Sequence, residues 1–179
     1  VALGGVEPVS LLALLKHALS PFDQHAVAIL ELALLRGPRP QKGTAGLAGA
    51  LKDFRIELDK FRRKEPSELH RLDPRVKLSD VELNSAAALI ETLAAALKPL
   101  EELKARHPFA MIGALHRTAV ETLIGENREL SAAFADIEAT ERLVIPAGEY
   151  AELFHAAIAD HTVRRPEQSR SEEHTSELQ

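Results

Sequence analysis

Lys60-Phe61-Arg62-Arg63-Lys64 places four cations and one aromatic ring in five consecutive positions. Such a run has the chemistry of a phosphate contact, because Lys and Arg neutralise backbone phosphates without reading base sequence. The competing account is the solvated end of a helix, where basic side chains offset the dipole of the carboxyl end. Charge runs are most often of this second kind. A second basic group is Arg36-Gly37-Pro38-Arg39-Pro40, with two Arg side chains on a segment stiffened by two prolines. Proline fixes φ, so arginines placed here lose less freedom on binding. Here a phosphate contact and a helix stop that happens to carry Arg stand level. The candidate contacts are therefore Arg36, Arg39, Arg62, Arg63 and Lys64.

Other chemistry is hard to find. Gln41-Lys42-Gly43-Thr44 has the letters of a phosphate-cradling loop in the wrong order. The histidines stand at 17, 25, 70, 107, 116, 155, 161 and 174, and no two are four apart as a helical metal pair requires. No Gly-x-Ser-x-Gly elbow occurs. The chain is expected to hold no catalytic residue, no metal site and no cofactor. Lys16-His17 closes an apolar helix, so His17 reads as a satisfied core histidine.

The elements that must position these residues are helices. Pro8-Val9-Ser10 opens a first one over Leu11–Leu19, apolar almost all round as a buried helix is. Ser20 then Pro21 reads as an N-cap and first helical position. The second helix carries Phe22, Ala26, Ile29, Leu30, Ala33 and Leu34 on one face, and Gly37-Pro38 stop it. Residues 37–46 read as a loop by their breakers. A third helix follows with Leu47, Leu51, Phe54, Leu58 and Phe61 inward. A polar stretch, 64–78, contains Pro66 and Pro74. Ser79-Asp80-Val81-Glu82 is a capping box for a helix with Leu83, Ala87, Ile90, Leu93 and Leu97 inward. Pro99 and Pro108 each follow a break and restart a helix. Gly125 ends the helix of Phe109 and Ile112, residues 128–142 form another, and Pro146 opens the last one, with Phe154 inside. Leu143-Val144-Ile145 is the one short strand candidate. Val163-Arg164-Arg165-Pro166 leaves the last helix in extended form. The fold class is all-α: an irregular helical subdomain of about seven helices over 1–166.

Composition agrees. Apolar residues make up 45% of 179, enough for a core, while aromatics are 4% and Trp is absent. Ala and Leu dominate, which favours helix. The formal charge of −5 is not that of a free-standing DNA-binding domain, so any DNA contact must be a local patch. With no Cys, disulfides and thiolate metal sites are excluded. No apolar run is long enough to span a bilayer, and a cytoplasmic location is expected.

The tail has a separate origin. Arg170-Ser171-Glu172-Glu173-His174-Thr175-Ser176-Glu177-Leu178-Gln179 reads, residue for residue, as the translation of a common sequencing adapter. The alternative is a natural polar tail. Either way residues 167–179 are expected to be disordered and without core contacts. The string contains one basic and three acidic residues, so part of the apparent acidity belongs to it. Val1, with no initiator Met, reads as a truncation point, and the natural chain is expected to continue past Ser169.

The order of the pieces resembles a known family. Pro8-Val9-Ser10-Leu11-Leu12-Ala13-Leu14-Leu15-Lys16-His17 is similar to a Leu-Leu-x-Leu-Leu-Lys-His-Pro-Leu segment of AddB, a subunit of the AddAB helicase–nuclease. Glu31-Leu32-Ala33-Leu34-Leu35-Arg36-Gly37-Pro38-Arg39-Pro40 is similar to the Leu-Arg-Gly-Pro-Arg-Pro stretch of the proteobacterial form. Lys98-Pro99-Leu100 with His116 and Glu121, and Tyr150-Ala151-Glu152-Leu153-Phe154 through Val163-Arg164-Arg165-Pro166, match more loosely. The resemblance covers about residues 8–166, and Ala18 departs from it where the family has Pro. It implies an interior piece of a helicase-like protein that processes double-strand breaks, with DNA and an AddA-type subunit as partners. The parent would be an ATP-dependent helicase–nuclease subunit whose nuclease residues lie outside this chain. No catalytic residue carries over. A helical protein-interaction scaffold and a small-molecule-binding bundle remain as other readings.

Overall fold

The computed structural model describes residues 1–18, 20–37, 40–126, 128–140 and 142–159. Leu19, Pro38, Arg39 and the expected tail over 167–179 lie outside them, as does the extended exit Val163–Pro166. The fold is all-α, with seven α-helices among the described residues: α1 Pro8–Leu15, α2 Gln24–Leu30, α3 Gly43–Arg62, α4 Asp80–Glu101, α5 Phe109–Ile124, α6 Arg128–Glu138 and α7 Tyr150–Ala157. A π-helical turn, Glu31–Leu35, extends α2.

α4 is the organising helix. Leu83, Ala86, Ile90, Leu93, Leu97 and Leu100 recur at alternating spacings of three and four and are all buried. Leu89 and Ala96 widen that stripe, so α4 can be covered from several sides, as a central helix must be. It packs against α2, α3 and α5; α5 in turn packs on α6, and α6 on α7. Leu51, Phe54, Leu93 and Ile112 are buried as their spacing predicts, whereas Phe154 is only partly so. Ser79 and Glu82 form the expected capping box: Glu82 N donates to Ser79 Oγ at 3.3 Å and Ser79 N to Glu82 Oε2 at 2.8 Å.

Several boundaries differ from the sequence expectation. α1 begins at Pro8, which is pre-shaped for a first helical position. Only Leu11 and Leu15 of it are buried, and Val9 is 81% exposed. α2 is capped by Asp23, whose carboxylate accepts from His25 N at 3.0 Å, and not by Ser20. Ser20 Oγ is instead buried with no hydrogen-bond partner among the described residues. His17 is exposed, not a core histidine. α3 starts four residues before Leu47, inside the expected loop. α4 runs through Pro99, because Leu97 and Leu100 on either side are buried and hold the last turn in register.

One feature is not helical. Arg106–Pro108 (β1) pairs antiparallel with Val144–Pro146 (β2), His107 opposite Ile145. This two-stranded clip ties the start of α5 to the segment that leads into α7. No helix among the described residues is long and apolar enough to cross a membrane.

Candidate nucleic-acid interface

Arg36 follows the π-helical turn, where its N–H donates to Glu31 O at 3.2 Å, five residues back. The wider turn lets its side chain reach the same residue. Nε and Nη2 both donate to Glu31 Oε1, at 3.1 and 3.0 Å. Lys16, at the end of α1, meets the other oxygen, Oε2, at 2.5 Å. These two cations, Lys16 first, hold the Glu31 carboxyl below its usual range. Two cations on one carboxylate leave a net positive charge, and the Arg36 side chain is 67% exposed. Arg39 lies outside the described residues.

The other run closes α3. Arg62 Nη1 lies 2.6 Å from Asp80 Oδ1 and Nη2 donates to Leu78 O at 2.7 Å. It therefore clamps the end of α3 to the start of α4. Lys60 is bound to Glu57 at 2.6 Å. Arg63 and Lys64 are exposed, and among the described residues neither has an ion-pair partner. The backbone here is a Schellman close. Lys64 N donates to Phe61 O and Glu65 N to Lys60 O, both at 3.0 Å. It puts Lys64 at φ 61°, a left-handed conformation that costs a residue with a Cβ roughly 1 kcal/mol.

The two groups lie along one helix. An added Cβ on Gly37, next to Arg36, would stand 3.6 Å from Arg75 Nη1. The Arg75 guanidinium lies over the Phe54 ring, 5.4 Å from its centre. The Arg36 segment thus flanks the middle of α3, and Arg62 follows Phe54 by eight residues, about 12 Å along the axis. Arg36 and Arg62 nevertheless bind separate acids.

Another cluster was not singled out by its chemistry. His116 Nδ1 lies 3.0 Å from the Tyr150 hydroxyl. The rings of Phe154, Phe134 and Tyr150 surround its imidazole at 4.6, 5.1 and 5.6 Å between centres. Burial lowers the His116 pKa to about 4, with a smaller push from the charged amino terminus. Burial, then the nearby Glu138 charge, pushes the Tyr150 phenol up. A neutral, partly buried imidazole packed among rings joins α5 to α6 and α7; it packs rather than reacts. The only sequence signal is that His116, Tyr150 and Phe154 all fall in the two looser motifs. Among the described residues no group of three His, Asp or Glu side chains is placed to hold a metal ion.

No family model, no curated protein and no solved structure matches this chain.

Proposed function

We propose that this chain is a non-catalytic helical segment of a DNA-processing helicase–nuclease of the AddB kind. It would contact the phosphate backbone of DNA and work in the cytoplasm beside an AddA-type subunit. The observation that carries this reading is that residues bearing the resemblance meet one another. Lys16 of the first motif and Arg36 of the second grip the same Glu31 carboxylate. His116 of the third meets Tyr150 and Phe154 of the fourth. Matches scattered by chance have no reason to close on each other in pairs.

Arg63 and Lys64 are the strongest DNA contacts in this reading, being exposed cations with no acid to neutralise them. Arg36 contributes the net charge of its shared carboxylate, and Arg39 adds to it. Arg62 contributes less because Asp80 already occupies it. Reversing charge with Arg63→Glu and Lys64→Glu is expected to weaken duplex binding and to flatten its salt dependence by about two phosphates' worth. Unchanged affinity and slope would remove this run from the interface. Extending the coding sequence tests the parent protein: a nuclease motif far downstream is expected, and a stop codon soon after residue 169 would sink the reading.

A helical protein-interaction scaffold is the second reading. It is favoured by Leu72 and Val81, each 78% exposed. Under it, Leu72→Ser with Val81→Ser abolishes partner binding and leaves DNA binding untouched.

A further inference from the structure

At the amino end of α3 an open cleft of about 850 Å³ is lined by Lys42, Lys104 and Arg106, with Gly5, Gly148 and Glu101 among its other walls. Among the described residues none of the three cations has an ion-pair partner. Arg106 donates only to a backbone oxygen, Val144 O, at 2.9 Å. Lys16, Arg36, Lys60, Arg62, Arg75, Lys98 and Arg117 are paired with acids; other exposed cations such as Lys52, Arg63 and Lys64 are not, and what sets these three apart is that they line one open space. The one acid in the cleft does not cancel them by contact. Both Glu101 oxygens are taken by Thr44, whose N–H and hydroxyl donate to them at 2.9 Å each. The Glu101 carboxylate thereby caps the amino end of α3 through the Thr44 N–H.

Three cations without ion-pair partners, set against the single charge of Glu101, leave the cleft net positive on a chain of net charge −5, which suits an anionic ligand. The chemical class follows from what else lines the walls. No aromatic side chain does, so nothing offers a face for stacking an unpaired base. The glycines let a bulky ligand approach the backbone closely. Phosphate groups on a rigid, stacked polymer fit this wall; a free base does not. We infer that this cleft is a second contact for the phosphodiester backbone of duplex DNA, an inference that rests on the DNA-processing reading above. The cleft and the Arg63-Lys64 run occupy opposite ends of α3, whose 20 residues span about 30 Å. One phosphate cannot touch both, so the two contacts act separately along a duplex.

The test uses the full chain and a fluorescent duplex, with affinity measured across a salt series. The triple substitution Lys42→Ala, Lys104→Ala, Arg106→Ala is expected to reduce the slope of log K against log salt by about 2 to 3, as loss of three phosphate contacts requires. Lys42→Gln with Lys104→Gln, which breaks no hydrogen bond, should give about two thirds of that change. Lys52→Gln with Lys77→Gln removes the same charge outside the cleft and should change the slope far less. A duplex-binding chain whose slope ignores the cleft substitutions, or responds equally to the control, overturns the cleft and leaves the DNA reading standing. If the chain binds no duplex, calorimetry with inorganic pyrophosphate separates the cases. Pyrophosphate binding lost in the triple variant would overturn the DNA reading and make a free phosphate the ligand. No binding of either probe overturns the cleft as an anion site.

Discussion

Lys64 holds a position where glycine is the better residue. A left-handed C′ residue in a Schellman close is most often Gly, because a Cβ is strained there. Lys64 sits there at φ 61° and gains no ion pair in return among the described residues. A residue kept in strained backbone is a reasonable mark of a role other than stability. Lys64→Gly is therefore expected to stabilise the chain by about 1 kcal/mol in urea unfolding. The same variant should lose about one phosphate contact in a salt series. A destabilised variant would show that the lysine stem packs usefully where it stands. Arg62 is the contrasting case at this scale. Sequence places it in the same basic run as Lys64, yet Asp80 and Leu78 O hold its guanidinium. Nothing in the run itself distinguishes the two: Arg62's closest partners lie 16 and 18 residues further along, and the more distant Asp59, at 3.7 Å, stands just before the run.

Elements were legible where their signals are local. The Ser79–Glu82 box is written in four residues and appears as such. The inward faces of α3 and α4 follow from spacing, except that Phe61 and Ala87, expected inward, are only partly buried. The start of α3 was not legible, because its cap comes from Glu101, 57 residues away. That contact makes helix from Gly43-Thr44-Ala45-Gly46, which the breakers mark as loop. Of the β1–β2 clip only half was legible: the strand candidate Leu143-Val144-Ile145 overlaps β2, Val144–Pro146, whereas β1 escaped because the strands are three residues long and meet only after α5 and α6 intervene. The glycines of α3 make this concrete. Gly46 and Gly49 both lie within α3, where a glycine ordinarily costs about 1 kcal/mol against Ala. In the structure a Cβ on Gly46 would fall 1.8 Å from Gln41 O, whereas one on Gly49 would meet nothing within 4 Å. Gly49→Ala should raise stability by up to about 1 kcal/mol. Gly46→Ala should lower it by about 2 kcal/mol or more, since backbone must move to admit the methyl. Equal effects in thermal unfolding would mean the 41–46 segment is not held against the helix as described.

At the scale of the whole molecule, acid should unfold the chain in two stages. His116 is the first. Its folded pKa, about 4, lies below the ordinary 6.5 because burial disfavours the charged ring. The unfolded chain therefore binds a proton that the folded chain refuses. Stability from the neutral imidazole is complete above pH 6.5, declines as pH falls, and is lost by about pH 4. A shift of this size corresponds to an upper limit on the order of 3 kcal/mol. The second stage comes from Glu31, Asp73, Glu57 and Glu82, whose pKa values are all lowered by hydrogen bonds. Their sign is set by the unfolded value near 4.5 or just below: the stability they add is present above it and disappears as pH falls through their folded values. The stages are separable by His116→Gln, which can still bond the Tyr150 hydroxyl but cannot titrate. Urea midpoints for this variant should be flat between pH 6.5 and 4.5, where the natural chain declines, and both should fall together at lower pH. If both chains decline alike above pH 4.5, the ring is open to water when folded, and the seal of Phe134, Phe154 and Tyr150 around it is not the one described.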